Sequence, residues 1–218
     1  MNKFLCLSFD DGPNVESGDT TMNDLLDILE EYNVPASFFL IGNKITEENK
    51  SVIHRAIKLG CDIENHSWTH PKMAELSKEE IEAEYEKCDN AILTLTGKKA
   101  QFFRPPYISV SQQMYDIIKV PFICGLGCND WDPEYDAEYR YNQMLKDAQN
   151  GTIFLLHVME KNSPTLQAVK RIIPELKKQG YTFVNLPDLF KNCGVNPDIP
   201  NSLWSVAQKT YNNTWNIN

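Results

Sequence analysis

Short apolar segments rich in β-branched and aromatic residues alternate along this chain with longer segments of helical periodicity. Seven of the short segments are predicted as strands: 4–9, 36–42, 61–65, 101–105, 121–126, 152–157 and 181–186. Between them, segments such as 20–32, 77–95 and 163–179 place apolar side chains three and four residues apart, as an amphipathic helix does. Continuous apolar strands joined by helices predict a parallel sheet that is covered on both faces.

Seven strand and helix units in one chain favour an α/β fold with a closed or nearly closed (β/α) barrel. An open doubly wound sheet is the alternative, but the glycine fingerprint of that fold does not follow the first strand. In a barrel the chemistry lies just beyond the C-terminal ends of the strands. We divide the chain into a catalytic domain, 1–190, and an Asn-rich extension, 191–218, that packs on the barrel or caps one end.

Composition argues against several classes of protein. The 218 residues are 42% hydrophobic, enough for a sizeable core, and the net charge of −9 opposes binding to nucleic acid. No apolar run approaches the roughly 20 residues of a membrane helix, and residues 1–7 lack the pattern of a secretory signal. We therefore expect a cytoplasmic protein with reduced cysteines and no membrane partner, or a secreted one if the sequence is a trimmed form of a longer chain.

Two adjacent carboxylates, Asp10 and Asp11, follow the first predicted strand directly. Their charges repel each other at a strand end unless a cation lies beside them. Because neighbouring side chains of an extended segment point in different directions, one acid can bind an ion while the other faces a substrate or water. The alternative is an Asp-Gly-Pro turn in which both acids accept hydrogen bonds from backbone amides.

Two histidines, His66 and His70, follow the third predicted strand at a spacing that is familiar from zinc sites. One carboxylate from the first strand and these two imidazoles make three protein ligands and leave a fourth position for water. That ligand set is typical of a hydrolytic metal site. A structural pair of histidines is the alternative.

The next three strands also end in polar or titratable residues. These are Arg104-Pro-Pro-Tyr107, Asn129-Asp130-Trp131 and Leu155-Leu-His157. Taken alone, Arg104 fits a surface arginine, Trp131 a core aromatic residue and His157 a hydrogen-bonded core histidine. Five consecutive clusters on one rim of the predicted barrel favour an active site instead. The glutamates at 79–86 are predicted to form a solvated helix face with no function attached.

In this order, the five clusters resemble the motifs of the polysaccharide deacetylases, also called NodB-homology proteins or family 4 carbohydrate esterases. The resemblance also includes Tyr32-Asn-Val-Pro-Ala-Ser-Phe-Phe-Leu-Ile-Gly42 and the segment 173–184, so that it covers about 4–190. It implies a distorted, seven-stranded (β/α) barrel of the NodB type, which agrees with the strand count.

The resemblance also implies a role for each residue. Asp11, His66 and His70 match the ligands of a divalent ion, usually zinc and sometimes another such as cobalt. Asp10 matches the general base and His157 the general acid, while Arg104 matches the residue that orients the base and Asp130 the one that tunes the histidine. The backbone N–H of Tyr107 matches an oxyanion donor, and Trp131 and Leu155 match the walls of an acetyl pocket.

Two positions depart from the family pattern. Ile108 stands where a glycine is usual, and Val158 stands where an aspartate is frequent. Neither change removes a metal ligand or a proton-transfer group. We therefore expect both to affect how the substrate fits rather than the chemistry.

These observations predict a metal-dependent hydrolase that removes acetyl groups from a carbohydrate. An N-acetylglucosamine-containing glycan or oligosaccharide is the first expectation, and O-acetylated xylan is the second. A hydrolase for a small N-acylated or ureido compound is a further alternative. The alternative from another class is a non-catalytic sugar-binding protein, in which Trp204, Tyr211 and Trp215 of the extension stack on sugar rings or block the groove.

Overall fold

The computed structural model describes residues 2–15 and 18–208 as a twisted parallel sheet surrounded by helices. The strands are β1 (Lys3–Asp10), β2 (Ser37–Leu40), β3 (Asp62–Asn65), β4 (Phe122–Ile123), β5 (Leu126–Gly127), β6 (Thr152–His157), β7 (Tyr181–Phe183) and β8 (Leu203–Trp204). The helices are α1 (Thr21–Tyr32), α2 (Lys50–Lys58), α3 (Lys78–Thr96), α4 (Gln112–Ile117), α5 (Ala137–Asp147), α6 (Ser163–Lys178) and α7 (Leu186–Cys193). None of these helices is both long and apolar enough to cross a membrane.

The sheet has the order β3-β2-β1-β6-β5, and every pairing in it is parallel. Single bridges from Asn65 to Phe103 and from Phe103 to Phe122 continue it from β3 to β4. β5 follows β4 in the chain after two residues, so the paired segments nearly form a ring, although β4 and β5 do not pair among the described residues. The predicted (β/α) barrel of the NodB type is confirmed as the fold class. The barrel is distorted, because β1 has two different neighbours along its length besides β6. It pairs with β7 at Lys3–Leu5 and with β2 at Ser8–Asp10.

Two predicted strands are shorter than expected. The segment 101–105 contributes only the bridges at Phe103, because the N–H groups of Gln101 and Phe102 donate to the Glu64 carboxylate instead of to a strand. The segment 121–126 is divided into β4 and β5 at Gly125, whose φ of +93° lies outside the strand region. Both irregularities lie next to the rim that carries the predicted site.

Strand β1 explains how polar residues come to lie inside the barrel. Its residues Leu5, Leu7 and Phe9 pack in one apolar cluster with side chains of α1 and α6. Since successive side chains of a strand point to opposite faces, Ser8 and Asp10 face the other way, toward the barrel interior. Both are fully or almost fully buried.

The described part of the extension, 191–208, is joined to the barrel. Helix α7 crosses the boundary that we placed at 190, and β8 pairs with β4. Trp204 is 2% exposed, packs against Phe190 and donates its indole N–H to the Pro197 carbonyl at 3.0 Å. The expectation that Trp204 stacks on sugars is therefore wrong, because its ring belongs to the core. Tyr211 and Trp215 lie outside the described residues.

All six cysteines are free thiols, as predicted, and five of them are buried.

Candidate active site

The five predicted clusters meet around one cavity of about 700 Å³ at the C-terminal ends of the strands. Arg104 is fully buried at its base, and the other predicted site residues line the cavity: Asp10, Asp11, His66, His70, Tyr107, Asp130, Trp131, Leu155 and His157. The structure thus brings all ten residues to one place. The arrangement follows from the parallel sheet, in which all strands end on the same side.

Asp11, His66 and His70 form a ligand set for a metal ion. One potential ligand atom from each lies within 4.8 Å of the other two. Asp11 Oδ1 is 3.6 Å from His66 Nε2 and 3.5 Å from His70 Nε2, too far for strong hydrogen bonds. This oxygen is buried and accepts no hydrogen bond from the described residues. A buried carboxylate oxygen facing two imidazoles is suited to a shared cation, and the mixed oxygen and nitrogen donors fit zinc or cobalt.

The state of His66 agrees with a ligand role. Its Nδ1 lies 2.7 Å from the Arg104 carbonyl oxygen, which only accepts hydrogen bonds, so Nδ1 carries the proton. Burial lowers the pKa of His66 to about 3, so the ring is neutral at ordinary pH. The lone pair is therefore on Nε2, the atom that faces Asp11.

Asp11 turns into the site because the chain leaves β1 with a left-handed φ of +70°. Lys44 supports that turn. Its Nζ donates to the Asp11 carbonyl at 2.9 Å and to Asn14 Oδ1 at 2.6 Å. We did not predict a role for Lys44, because its position in the sequence carries no signal for one.

Asp10 is held by a chain of hydrogen bonds from the barrel interior. Arg104 Nη1 donates to Asp10 Oδ1 at 2.6 Å, and Arg104 Nη2 donates to Ser8 Oγ at 2.7 Å. Ser8 in turn donates to the Phe154 carbonyl at 2.6 Å. The other oxygen, Asp10 Oδ2, lies 3.7 Å from His66 Nε2. Asp10 thus keeps one oxygen bound to arginine and the other beside the metal ligands.

Gly125 leaves the space that Arg104 needs. A Cβ atom at this position would lie 2.9 Å from Leu155 Cβ and 3.2 Å from Arg104 Nη2. Together with its positive φ, this close approach explains why the strand breaks at a glycine there.

His157 is paired with Asp130 in the same cavity, where β6 places it beside Asp10 of β1. Its Nδ1 is 2.7 Å from Asp130 Oδ1, and its backbone N–H donates to Asp130 Oδ2 at 2.7 Å. Burial lowers the pKa of His157, but the hydrogen bond and the charge of Asp130 outweigh it and raise the pKa to about 9. At neutral pH His157 is therefore a cation with a proton to donate.

The partners behind Asp130 were not predicted. Thr165 Oγ1 donates to Asp130 Oδ2 at 2.9 Å, and buried Arg140 donates to Thr165 Oγ1 at 2.7 Å and to Asn162 Oδ1 at 2.6 Å. Arg140 and Thr165 belong to α5 and α6, where the helical pattern alone gave no reason to single them out.

Aromatic and apolar side chains form the mouth of the cavity. Tyr107 and Trp131 are 62% and 59% exposed. Ile108 also lines the cavity and has a φ of +53°, a region that β-branched residues rarely adopt. Val158 is buried and does not line the cavity. Of the two departures, only Ile108 is therefore placed where it can contact a bound molecule, and its expected influence on substrate fit stays a prediction.

The prediction of a purely solvated face on α3 is wrong at one position. Glu82 and Glu86 are exposed, but Glu84 accepts hydrogen bonds from residues 66–70, hereafter the histidine loop. The spacing of the glutamates could not separate Glu84 from its neighbours.

Fold and side chains together define an α/β-barrel protein whose cavity holds an Asp-His-His ligand set and a His-Asp pair. A family model described as polysaccharide deacetylase matches residues 1–120. The chain belongs to the polysaccharide deacetylase family, and its structural neighbours are family 4 carbohydrate esterases.

The chain is similar to a bifunctional xylanase/deacetylase from Pseudobutyrivibrio xylanivorans, with 42% identity over 93% of this chain and 33% of that protein. It is 31% identical to a peptidoglycan-N-acetylglucosamine deacetylase from Listeria monocytogenes over 87% of this chain and 39% of the relative. It thus spans between a third and two fifths of these relatives. A cobalt complex of a family 4 acetyl xylan esterase from Clostridium thermocellum is 34% identical, with a TM-score of 0.88 over 94% of this chain and 98% of that one.

Proposed function

We propose that this chain is a divalent-metal-dependent hydrolase that removes acetyl groups from a carbohydrate. The N-acetyl groups of a glycan or oligosaccharide that contains N-acetylglucosamine are the substrate class that the site chemistry supports best. The observation that carries the proposal is Asp11 Oδ1, which is buried between His66 and His70 and accepts no hydrogen bond from the described residues, with Asp10 oriented beside them. We assign zinc as the ion, with cobalt as a competent substitute.

The proposed reaction begins with proton transfer to Asp10. A bound divalent ion at Asp11, His66 and His70 supplies Lewis acidity toward water and the acetyl carbonyl. Asp10 Oδ2 accepts the proton of the attacking water, since Oδ1 is engaged by Arg104. As the water oxygen bonds to the acetyl carbon, the carbonyl oxygen becomes negative. The backbone N–H of Tyr107 is the donor that we assign to it, because no described residue accepts from that N–H.

The second half of the reaction belongs to His157. Its Nδ1 is engaged by Asp130, so Nε2 is the nitrogen that donates a proton to the leaving group. The C–N bond then breaks and yields acetate and an amine. An amide nitrogen needs this proton more than a sugar alkoxide does, and a histidine charged at neutral pH supplies it. This is why the site chemistry favours N-acetyl substrates. Trp131 and Leu155 are assigned to the walls around the acetyl methyl group.

O-acetylated xylan is a second candidate substrate, and the comparisons favour it. The 42% identical relative is named a xylanase/deacetylase, and the cobalt complex is an acetyl xylan esterase. The same residues suffice for an ester, whose leaving group is less demanding.

Acetate release tests the proposal. The protein is stripped of metal with a chelator, restored with zinc or cobalt, and assayed on chitooligosaccharides, peptidoglycan fragments and acetylated xylan. We expect activity that disappears with the metal and returns with it. Higher kcat/KM on the first two substrates supports the N-acetyl assignment, and higher kcat/KM on xylan supports the second candidate. No acetate from any of the three, with metal bound, contradicts the proposed function.

A further inference from the structure

The two proposed metal-binding histidines are held in different ways. His66 is 2% exposed, and its own ring is fixed by the hydrogen bond to the Arg104 carbonyl. The His70 ring is partly exposed and makes no hydrogen bond to another described residue, and Asp11 Oδ1 lies 3.5 Å from its Nε2. Its remaining ring contacts are edge contacts with His66 and Tyr107. The position of His70 therefore depends on the backbone of the histidine loop.

That backbone has a conformation that needs support. Ser67 and His70 both have positive φ, at +65° and +60°. Residues other than glycine rarely adopt this region, and they keep it only where the surrounding contacts enforce it. Ser67 Oγ accepts a hydrogen bond from the His70 N–H at 3.0 Å, which supports the turn from within.

The loop is held from two sides. On one side its carbonyl groups at Ser67 and Trp68 accept hydrogen bonds from the backbone of Gly42 and Asn43, at 2.9 and 3.0 Å. On the other side Glu84 of α3 accepts three hydrogen bonds from Trp68 and Thr69. Its Oε2 accepts the N–H groups of Trp68 and Thr69 at 3.0 and 2.8 Å, and its Oε1 accepts the Thr69 hydroxyl at 2.7 Å.

We infer that Glu84 is a positioning residue that presets the histidine loop so that His70 meets Asp11 and His66 at the ion. This inference rests on the proposed metal site. Glu84 does not line the cavity and is not one of the three proposed ligands. Three hydrogen bonds to one carboxylate, each assisted by its charge, are stronger than bonds to a neutral acceptor. Without these hydrogen bonds, water can solvate the exposed donors of the loop. The loop then loses conformational entropy when it binds the metal, which weakens the binding.

Metal affinity tests the inference without any measurement of catalysis. Metal-free protein is titrated with zinc in competition with a fluorescent chelator, for the full chain and for Glu84→Ala, Glu84→Gln and Thr69→Val. We expect Glu84→Ala to weaken zinc binding about 10- to 100-fold, the range typical for groups that orient metal ligands. Glu84→Gln keeps an acceptor for the amides and loses less, and Thr69→Val, which removes one hydrogen bond, loses least.

Glu82→Ala is the matched control, because it removes the same charge from an exposed position of the same helix. It should bind zinc like the unmodified chain. Thermal unfolding of the metal-free proteins shows how far each variant is destabilised in general. If Glu84 positions the loop, Glu84→Ala should lose more zinc affinity than Glu82→Ala does.

Zinc affinity of Glu84→Ala equal to that of the unmodified chain overturns the inference while the metal site stands. If Glu84→Ala does not fold, Glu84→Gln and Thr69→Val decide, and unchanged affinity in both overturns it. An unmodified chain that binds no zinc refutes the proposed function and this inference together.

Discussion

Two histidines at the same rim of the barrel are prepared for opposite tasks. His66 and His157 each place Nδ1 2.7 Å from an oxygen atom, and both side chains are largely buried. The oxygen is a backbone carbonyl for His66 and the carboxylate of Asp130 for His157. Burial lowers the pKa of the first to about 3, whereas the charge of Asp130 raises the pKa of the second to about 9.

Because burial lowers the pKa of both histidines, the comparison shows that the partner of Nδ1 decides whether the effect of burial is overcome. A neutral acceptor leaves His66 uncharged, with a lone pair for a metal ion. An anionic acceptor leaves His157 charged, with a proton for a leaving group. Two histidines whose pKa values differ in this way identify the metal ligand and the general acid of one site.

Loss of a metal ligand should have the largest effect on acetate release. His66→Ala takes away one of three protein ligands, so we expect zinc binding to be lost and acetate release to fall at least about 1,000-fold. Zinc content after dialysis and acetate release at saturating substrate check this. His54→Ala, an exposed histidine in α2, is the matched control and should change neither quantity. Full activity in a zinc-free His66→Ala protein contradicts a catalytic metal.

Loss of the general acid should leave the metal in place. His157→Gln cannot donate a proton, and we expect kcat on an N-acetylated substrate to fall about 100- to 10,000-fold. On an O-acetylated substrate the loss should be smaller. Zinc titration should give the affinity of the unmodified chain. Equal losses on both substrates, or a loss of zinc, would show that the metal ligands and the general acid are not separate.

The smallest of these effects should come from changing the partner of His157. Because its pKa is raised to about 9, the acid form is complete well below that pH and disappears as the pH rises through it. Asp130→Asn removes the charge while burial remains, so the pKa should fall and the alkaline limb of kcat/KM should move to lower pH. At pH 8 we expect a loss of about 10- to 100-fold. An alkaline limb that stays near 9 would mean that another group produces it.

The barrel and the grouping of the ten site residues were predictable because each cluster lies at or shortly after the C-terminal end of a predicted strand. An alternation of apolar strands and helices fixes which ends of the strands meet, the pairs Asp10/Asp11 and His66/His70 then favour a metal site, and the family resemblance implies the individual roles. The strand at 101–105 was overpredicted, because its amides are used by Glu64, a side chain far away in the sequence.

The supporting residues were not predictable for a related reason. Lys44, Glu84 and Arg140 act on the site from short turns and helices, and each looks like an ordinary surface charge in a periodic pattern. Only the packing of α3, α5 and the short turn after β2 gives these charges their partners. Trp204 shows the reverse error, since a tryptophan in a polar segment proved to be part of the core.

The division of labour between Asp10 and Asp11 is most directly tested by the zinc content of two variants purified alike, Asp10→Asn and Asp11→Asn. Both should release no acetate. We predict that Asp10→Asn retains its zinc, because Asp10 accepts a hydrogen bond from Arg104 and is not one of the three ligands. We predict that Asp11→Asn loses its zinc. Retention of zinc by Asp11→Asn, or its loss from Asp10→Asn alone, would contradict the account.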